Sequence, residues 1–108
     1  MPAFGDVVLA AGGAYSAKPR PVLIFQSQDF NTGESVLVIP FTTTHNPNII
    51  TRLKIEPSKN NWLNKPCFLE IDKLSAISIA CVGKRIGALN TAELEKAKGL
   101  AAKLLTLE

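Results

Sequence analysis

The sequence predicts a mainly β fold of the α+β kind, a small, partly open antiparallel barrel with one C-terminal α-helix. Three observations predict it. Short apolar or alternating runs, punctuated by Gly, Pro and Asn, recur between residues 5 and 82. A sustained helical period falls only at 91–106. The 108 residues, 46% of them hydrophobic, suffice for the core of a single domain over 1–108 without disulfide staples.

"GDVVLA" (5–10) reads as the first strand, and "AGGAYSAKP" after it as a loop in which Gly12 and Gly13 are free to take positive φ. "RPVLIFQS" (20–27) is the second strand; its four consecutive apolar residues, 22–25, call for cover on both faces. Pro21 suits the strand's first position, where a missing N–H is least harmful. "DFNTGES" (29–35) is a turn built on Asn31, Thr32 and Gly33. "VLVIPFTTT" (36–44) is the third strand, in which Pro40 marks a bulge or an edge. "RLKIE" (52–56) alternates charge and aliphatic like a half-buried strand, and "EPSKNNWLNKP" (56–66) is a polar connection. "CFLEI" (67–71) and "AISIACV" (76–82) are two more strands. "GKRIGAL" (83–89) leads into the helix, with Asn90 as N-cap and Glu93 completing a variant capping box. Leu94, Ala97, Ala101, Leu104 and Leu105 form its apolar face, while Lys96, Lys98 and Lys103 fall largely elsewhere. Open barrel edges need cover, and a homodimer would supply it.

Twelve Lys and Arg against nine Asp and Glu give a net charge of +3, which permits a phosphate-rich partner without demanding one. Cys67 and Cys81 lie in apolar stretches without metal-ligand spacing and read as buried reduced thiols, with a cross-strand disulfide left open. The apolar opening lacks a basic start and is interrupted by Asp6, unlike a secretion signal, and no run approaches membrane-spanning length. The expected compartment is the cytoplasm. Gly83 and Gly87 lack the strand–loop–helix setting of a phosphate-binding loop, and no cofactor is expected.

One local feature asks for a functional reading. Arg20 is held between Pro19 and Pro21, immediately before an apolar run. The segments "FGDVVLA", "RPVLI", "VIPFT" and "GKRIGALNTAELEKAKGLAAKLL", in that order and spacing, resemble the MazF/PemK family of toxin–antitoxin ribonucleases. The resemblance spans most of the chain and is weakest in the middle connections. It implies an SH3-like barrel, usually a homodimer, that cleaves single-stranded RNA without a metal. It also implies an antitoxin whose disordered tail lies in the RNA groove.

Metal-free cleavage uses the substrate's 2′-hydroxyl as nucleophile, giving a 2′,3′-cyclic phosphate and a 5′-hydroxyl. The enzyme must hold the phosphate, stabilise added negative charge and manage two protons. The resemblance assigns catalysis to Arg20, whose planar fork matches phosphate oxygens, and to Thr42, whose hydroxyl contacts the reacting phosphate. Lys18, Thr44, His45, Ser75, Ser78, Lys84 and Arg85 are candidate substrate-binding residues. Tyr15 and Trp62 suit either base stacking or loop anchoring. The chain departs from the family pattern at "SAISIAC" (75–81): Ser75 and Ser78 stand where many relatives carry an arginine and an aspartate. Serine is a poor proton carrier near neutral pH. Two alternatives follow, a CcdB-like DNA gyrase poison and a catalytically silent relative that binds antitoxin or RNA. The end "AKLLTLE" lacks the tryptophan-bearing tail of the former.

Overall fold

Alternating side chains build an antiparallel meander of β1 (Asp6–Gly12), β2 (Ser16–Ile24) and β3 (Ser35–Thr42) in the computed structural model, which describes residues 2–13, 15–31 and 33–107. Then come β4 (Arg52–Ile55), β5 (Cys67–Glu70), β6 (Ser75–Ser78), β7 (Val82–Ala88) and α1 (Thr91–Leu104). The sheet order is β4-β5-β3-β2-β1-β7, with β6 paired to β3. β4 and β7 end the path without pairing to each other, so the barrel is partly open, as expected.

The run at 22–24 is buried on both faces, and the alternation sorts it. Leu23 joins Val7, Ile39, Leu69 and Ile71 in a core that α1 covers with Ala97 and Ala101. Val22 and Ile24 join Val8, Ala10, Val36, Val38 and Ile77 in a second core on the opposite face. The helix begins on a complete capping box: Asn90 Oδ1 accepts the Glu93 N–H at 2.8 Å, and Glu93 Oε1 accepts the Asn90 N–H at 2.9 Å. Among the described residues no helix is long and apolar enough to cross a membrane.

Three prolines decide where the ladders stop. The Phe25 N–H donates to the Leu37 carbonyl at 3.0 Å, and the Ile24 carbonyl accepts from the Gly5 N–H at 2.9 Å. Odd residues of β2 therefore turn their backbone groups toward β3, and even ones toward β1. Pro19 and Pro21 are odd. They leave the β1 ladder intact and remove donors from the β3 side, where pairing ends at Val22↔Pro40. By the same alternation Pro40 turns its ring nitrogen away from β2. There it meets the gap between β6, last paired at Val38↔Ser75, and β5, first paired at Phe41↔Leu69.

Four expectations need correction. The second strand starts at Ser16, not Arg20, so Pro21 is interior to it. A tight hairpin takes the place of the long loop: Gly12 and Gly13 adopt φ of 96° and 55°, and Gly12 pairs with Ser16. Ala14 of that turn and Thr32 of the turn at 29–35 lie outside the described residues. The run at 76–82 is not one strand. Ser78 Oγ accepts the Ala80 N–H at 3.2 Å and caps a 3₁₀ turn, Ile79–Cys81, that separates β6 from β7. α1 ends at Leu104, and Leu104 and Leu105 are 43% and 53% exposed rather than buried on the core face. Thr106, at φ 56°, turns the chain away from the helix. Both cysteines are free thiols; Cys67 is buried, whereas Cys81 is only half-buried.

Candidate active site

The register of β2 on β3 is Ile24↔Val38, Leu23↔Ile39 and Val22↔Pro40. Arg20 and Thr42 lie two residues beyond that last paired position, one on each strand. Because the prolines stop the ladder at Val22, the strands beyond it are not drawn together by hydrogen bonds. A groove of about 300 Å³ opens there, lined by Arg20, Pro21, Phe41, Thr42, Thr43, Trp62 and Cys67. Pro19 and Pro21 thus do two things: they stiffen the backbone on either side of Arg20, and they make room beside it.

The far wall is braced by charges. Thr42 Oγ1 accepts the Thr44 N–H at 3.2 Å, and Arg52 Nη1 donates to the Thr44 carbonyl at 3.0 Å. Arg52 Nη2 lies 3.5 Å from the buried carboxylate of Glu70, which Lys73 approaches to 3.1 Å. Arg52 Nε is buried without a partner, so the bracing is bought at some desolvation cost. Burial pushes the Cys67 thiol above its usual pKa, with Lys65 pulling weakly the other way. Cys67 is therefore a neutral wall near pH 7.

Residues 3–105 match the family described as "PemK-like, MazF-like toxin of type II toxin-antitoxin system". The chain belongs to the PemK/MazF toxin family. It is 41% identical over 86 residues to a probable endoribonuclease MazF of Mycolicibacterium smegmatis, covering 79% of each chain. A mycobacterial structure described as an endoribonuclease in complex with its cognate antitoxin superposes with a TM-score of 0.82 at 23% identity, over 100% of this chain and 98% of that one. A Deinococcus radiodurans MazE–MazF structure gives 0.77 at 14% identity, over 98% and 96%. At such low identity the two structures speak for the fold alone.

Measured against the PemK/MazF pattern, the other candidate residues scatter. Lys18, two residues before Arg20, projects from the same face of β2 and is exposed. The third strand ends at Thr42 rather than at the expected residue 44, and Thr44 enters a turn. His45 leaves that turn and stacks on Phe68, with centroids 5.0 Å apart and planes 32° apart. Ser75 and Ser78 line a second cavity of about 430 Å³ with Gly12, Gly13, Tyr15 and Cys81. Tyr15 connects the two regions electrostatically: burial raises its pKa, the Arg20 guanidinium lowers it, and Glu70 raises it again. Arg85 is held away from the groove, its Nε donating to Asp6 Oδ1 at 2.9 Å, and lines a third cavity; Lys84, its neighbour on β7, is exposed. Reading the sequence missed Arg52, which looked like the outward charge of an alternating strand, and Cys67, whose apolar neighbours signalled only burial.

Proposed function

We propose that this chain is the endoribonuclease toxin of a toxin–antitoxin pair, with Arg20 and Thr42 at its reacting centre. The observation that carries this reading is that both residues line one groove where the β2–β3 ladder ends. The 41% identical relative named as a probable endoribonuclease supports it over a gyrase poison. The Arg20 fork binds two non-bridging oxygens and stabilises the charge that builds as the 2′-oxygen attacks phosphorus. The Thr42 hydroxyl already accepts a backbone N–H, which leaves its own hydrogen free to donate to the phosphate. The 2′-hydroxyl gives its proton to solvent, the P–O5′ bond breaks, and the leaving 5′-oxygen takes a proton from solvent, yielding a 2′,3′-cyclic phosphate and a 5′-hydroxyl. DNA lacks the nucleophile and resists. The protein acts without a metal or cofactor, as a cytoplasmic homodimer restrained by a cognate antitoxin.

Purified protein is expected to cut single-stranded RNA in EDTA and leave cyclic-phosphate ends. Arg20→Ala is expected to lower cleavage by about 10²–10³-fold or more with unchanged circular dichroism. RNA left intact by wild-type protein would falsify the reading.

A further inference from the structure

We infer that Trp62 is the stacking platform for the nucleobase next to the phosphodiester held at Arg20 and Thr42, an inference that rests on the function proposed above. Trp62 is far from both residues in sequence, in the polar connection at 56–66, yet its ring forms a wall of their groove.

The connection is built to hold that ring still. Asn61 is 7% exposed and uses its amide on three backbone groups. Its Oδ1 accepts the Ser58 N–H at 3.0 Å and the Leu63 N–H at 3.1 Å, and its Nδ2 donates to the Glu56 carbonyl at 3.0 Å. The same loop is seated on β7, where the Ala88 N–H donates to the Asn60 carbonyl at 3.0 Å. Gly87 permits the approach, since a Cβ there would stand 2.9 Å from the Asn60 oxygen and 3.1 Å from the Asn61 Cα. The indole then meets Phe41 edge-on, with centroids 4.8 Å apart and planes at 76°. Phe41 is the neighbour of Thr42, so one strand end carries both the reacting hydroxyl and the ring that orients the indole.

This arrangement suits a base and a phosphate together. A right-angled aromatic pair leaves at least one indole face unused by its partner. Trp62 is only partly buried: it packs against the core of Leu23 and Leu69 and also lines the cavity that Arg20 lines. A groove of about 300 Å³ is small for a ligand pocket and fits one nucleotide-sized group. Arg20 takes the phosphate and Trp62 takes the adjoining base. Every base has a π-face, so this contact steadies the phosphate at Arg20 beside any base without choosing among sequences.

Trp62 is the chain's single tryptophan, so its own emission reports the contact. The probe is a mixed-sequence 2′-O-methyl RNA, which has bases and phosphates but no nucleophile. Saturable quenching of Trp62 emission is expected, whereas an abasic oligonucleotide of equal length should leave emission unchanged. Trp62→Ala should weaken binding of the probe and raise KM on the order of 5- to 100-fold. Trp62→Phe, which keeps a ring, should recover most of that loss. Should Trp62→Ala fail to fold, the quenching and the abasic comparison on wild-type protein still decide the matter. Wild-type protein that cuts RNA while its emission ignores the probe, or responds equally to the abasic chain, overturns the stacking and leaves the proposed function standing. Wild-type protein that neither binds the probe nor cuts RNA overturns both.

Discussion

At Thr42 the proposed role falls to a hydroxyl that also serves the fold. Its oxygen accepts the Thr44 N–H, and Thr42 lines the groove that Arg20 also lines. Thr42→Val keeps shape and β-branching while removing the hydroxyl. It is expected to lower kcat by about 10- to 100-fold, the worth of a hydrogen bond to a charged group, with KM nearly unchanged. Thermal melting should move little, because the Thr44 N–H is exposed and water replaces the lost acceptor. Single-turnover cleavage of a defined RNA separates the two effects. Arg20 and Thr42 were legible as residue types in a suggestive order. Their meeting at one groove was not, because it depends on a register that no local pattern states.

At the scale of elements, the connection at 56–66 and strand β7 act as one unit. Gly87→Ala places a Cβ against the Asn60 carbonyl and the Asn61 backbone, neither of which can swing aside as a side chain would. The expected result is a loss of about 1–3 kcal/mol in stability from overpacking. Cleavage by the folded fraction should fall as well, since the loop that shifts carries Trp62. Chemical denaturation together with cleavage below the melting transition tests both halves. The helix and its capping box were legible from Asn90, Glu93 and the apolar period. The loop's rigidity was not, because a run such as "EPSKNNWLNKP" reads as a solvated connection until Asn61 is seen to be buried.

Taken whole, the molecule carries only +3, so its affinity for RNA cannot rest on a broad positive field. Local cations and stacking must supply it. Binding of 2′-O-methyl RNA should therefore depend weakly on salt, with a logarithmic slope of about −1.4 to −2.1, as expected for two or three phosphate contacts to a single strand. Lys18→Ala should reduce the magnitude of that slope by about 0.7, one phosphate's share, because Lys18 lies on the Arg20 face of β2. A titration series across salt concentrations measures both, and an unchanged slope removes Lys18 from the interface.

What is encoded between near neighbours in the chain was legible from the letters: the fold class, most strand positions, the two-faced burial of 22–24, and the helix with its cap. Periodicity, turn chemistry and capping act over a few residues, so they can be read from a line of letters. Long-range packing alone settles that Arg20, Thr42 and Trp62 line one groove, that Ser75 and Ser78 line another cavity, and that 76–82 breaks into a strand, a turn and the start of a second strand. Those outcomes follow from cross-strand register, which is settled by two cores competing for the same strands and by prolines ending ladders whose partners lie far away in the chain.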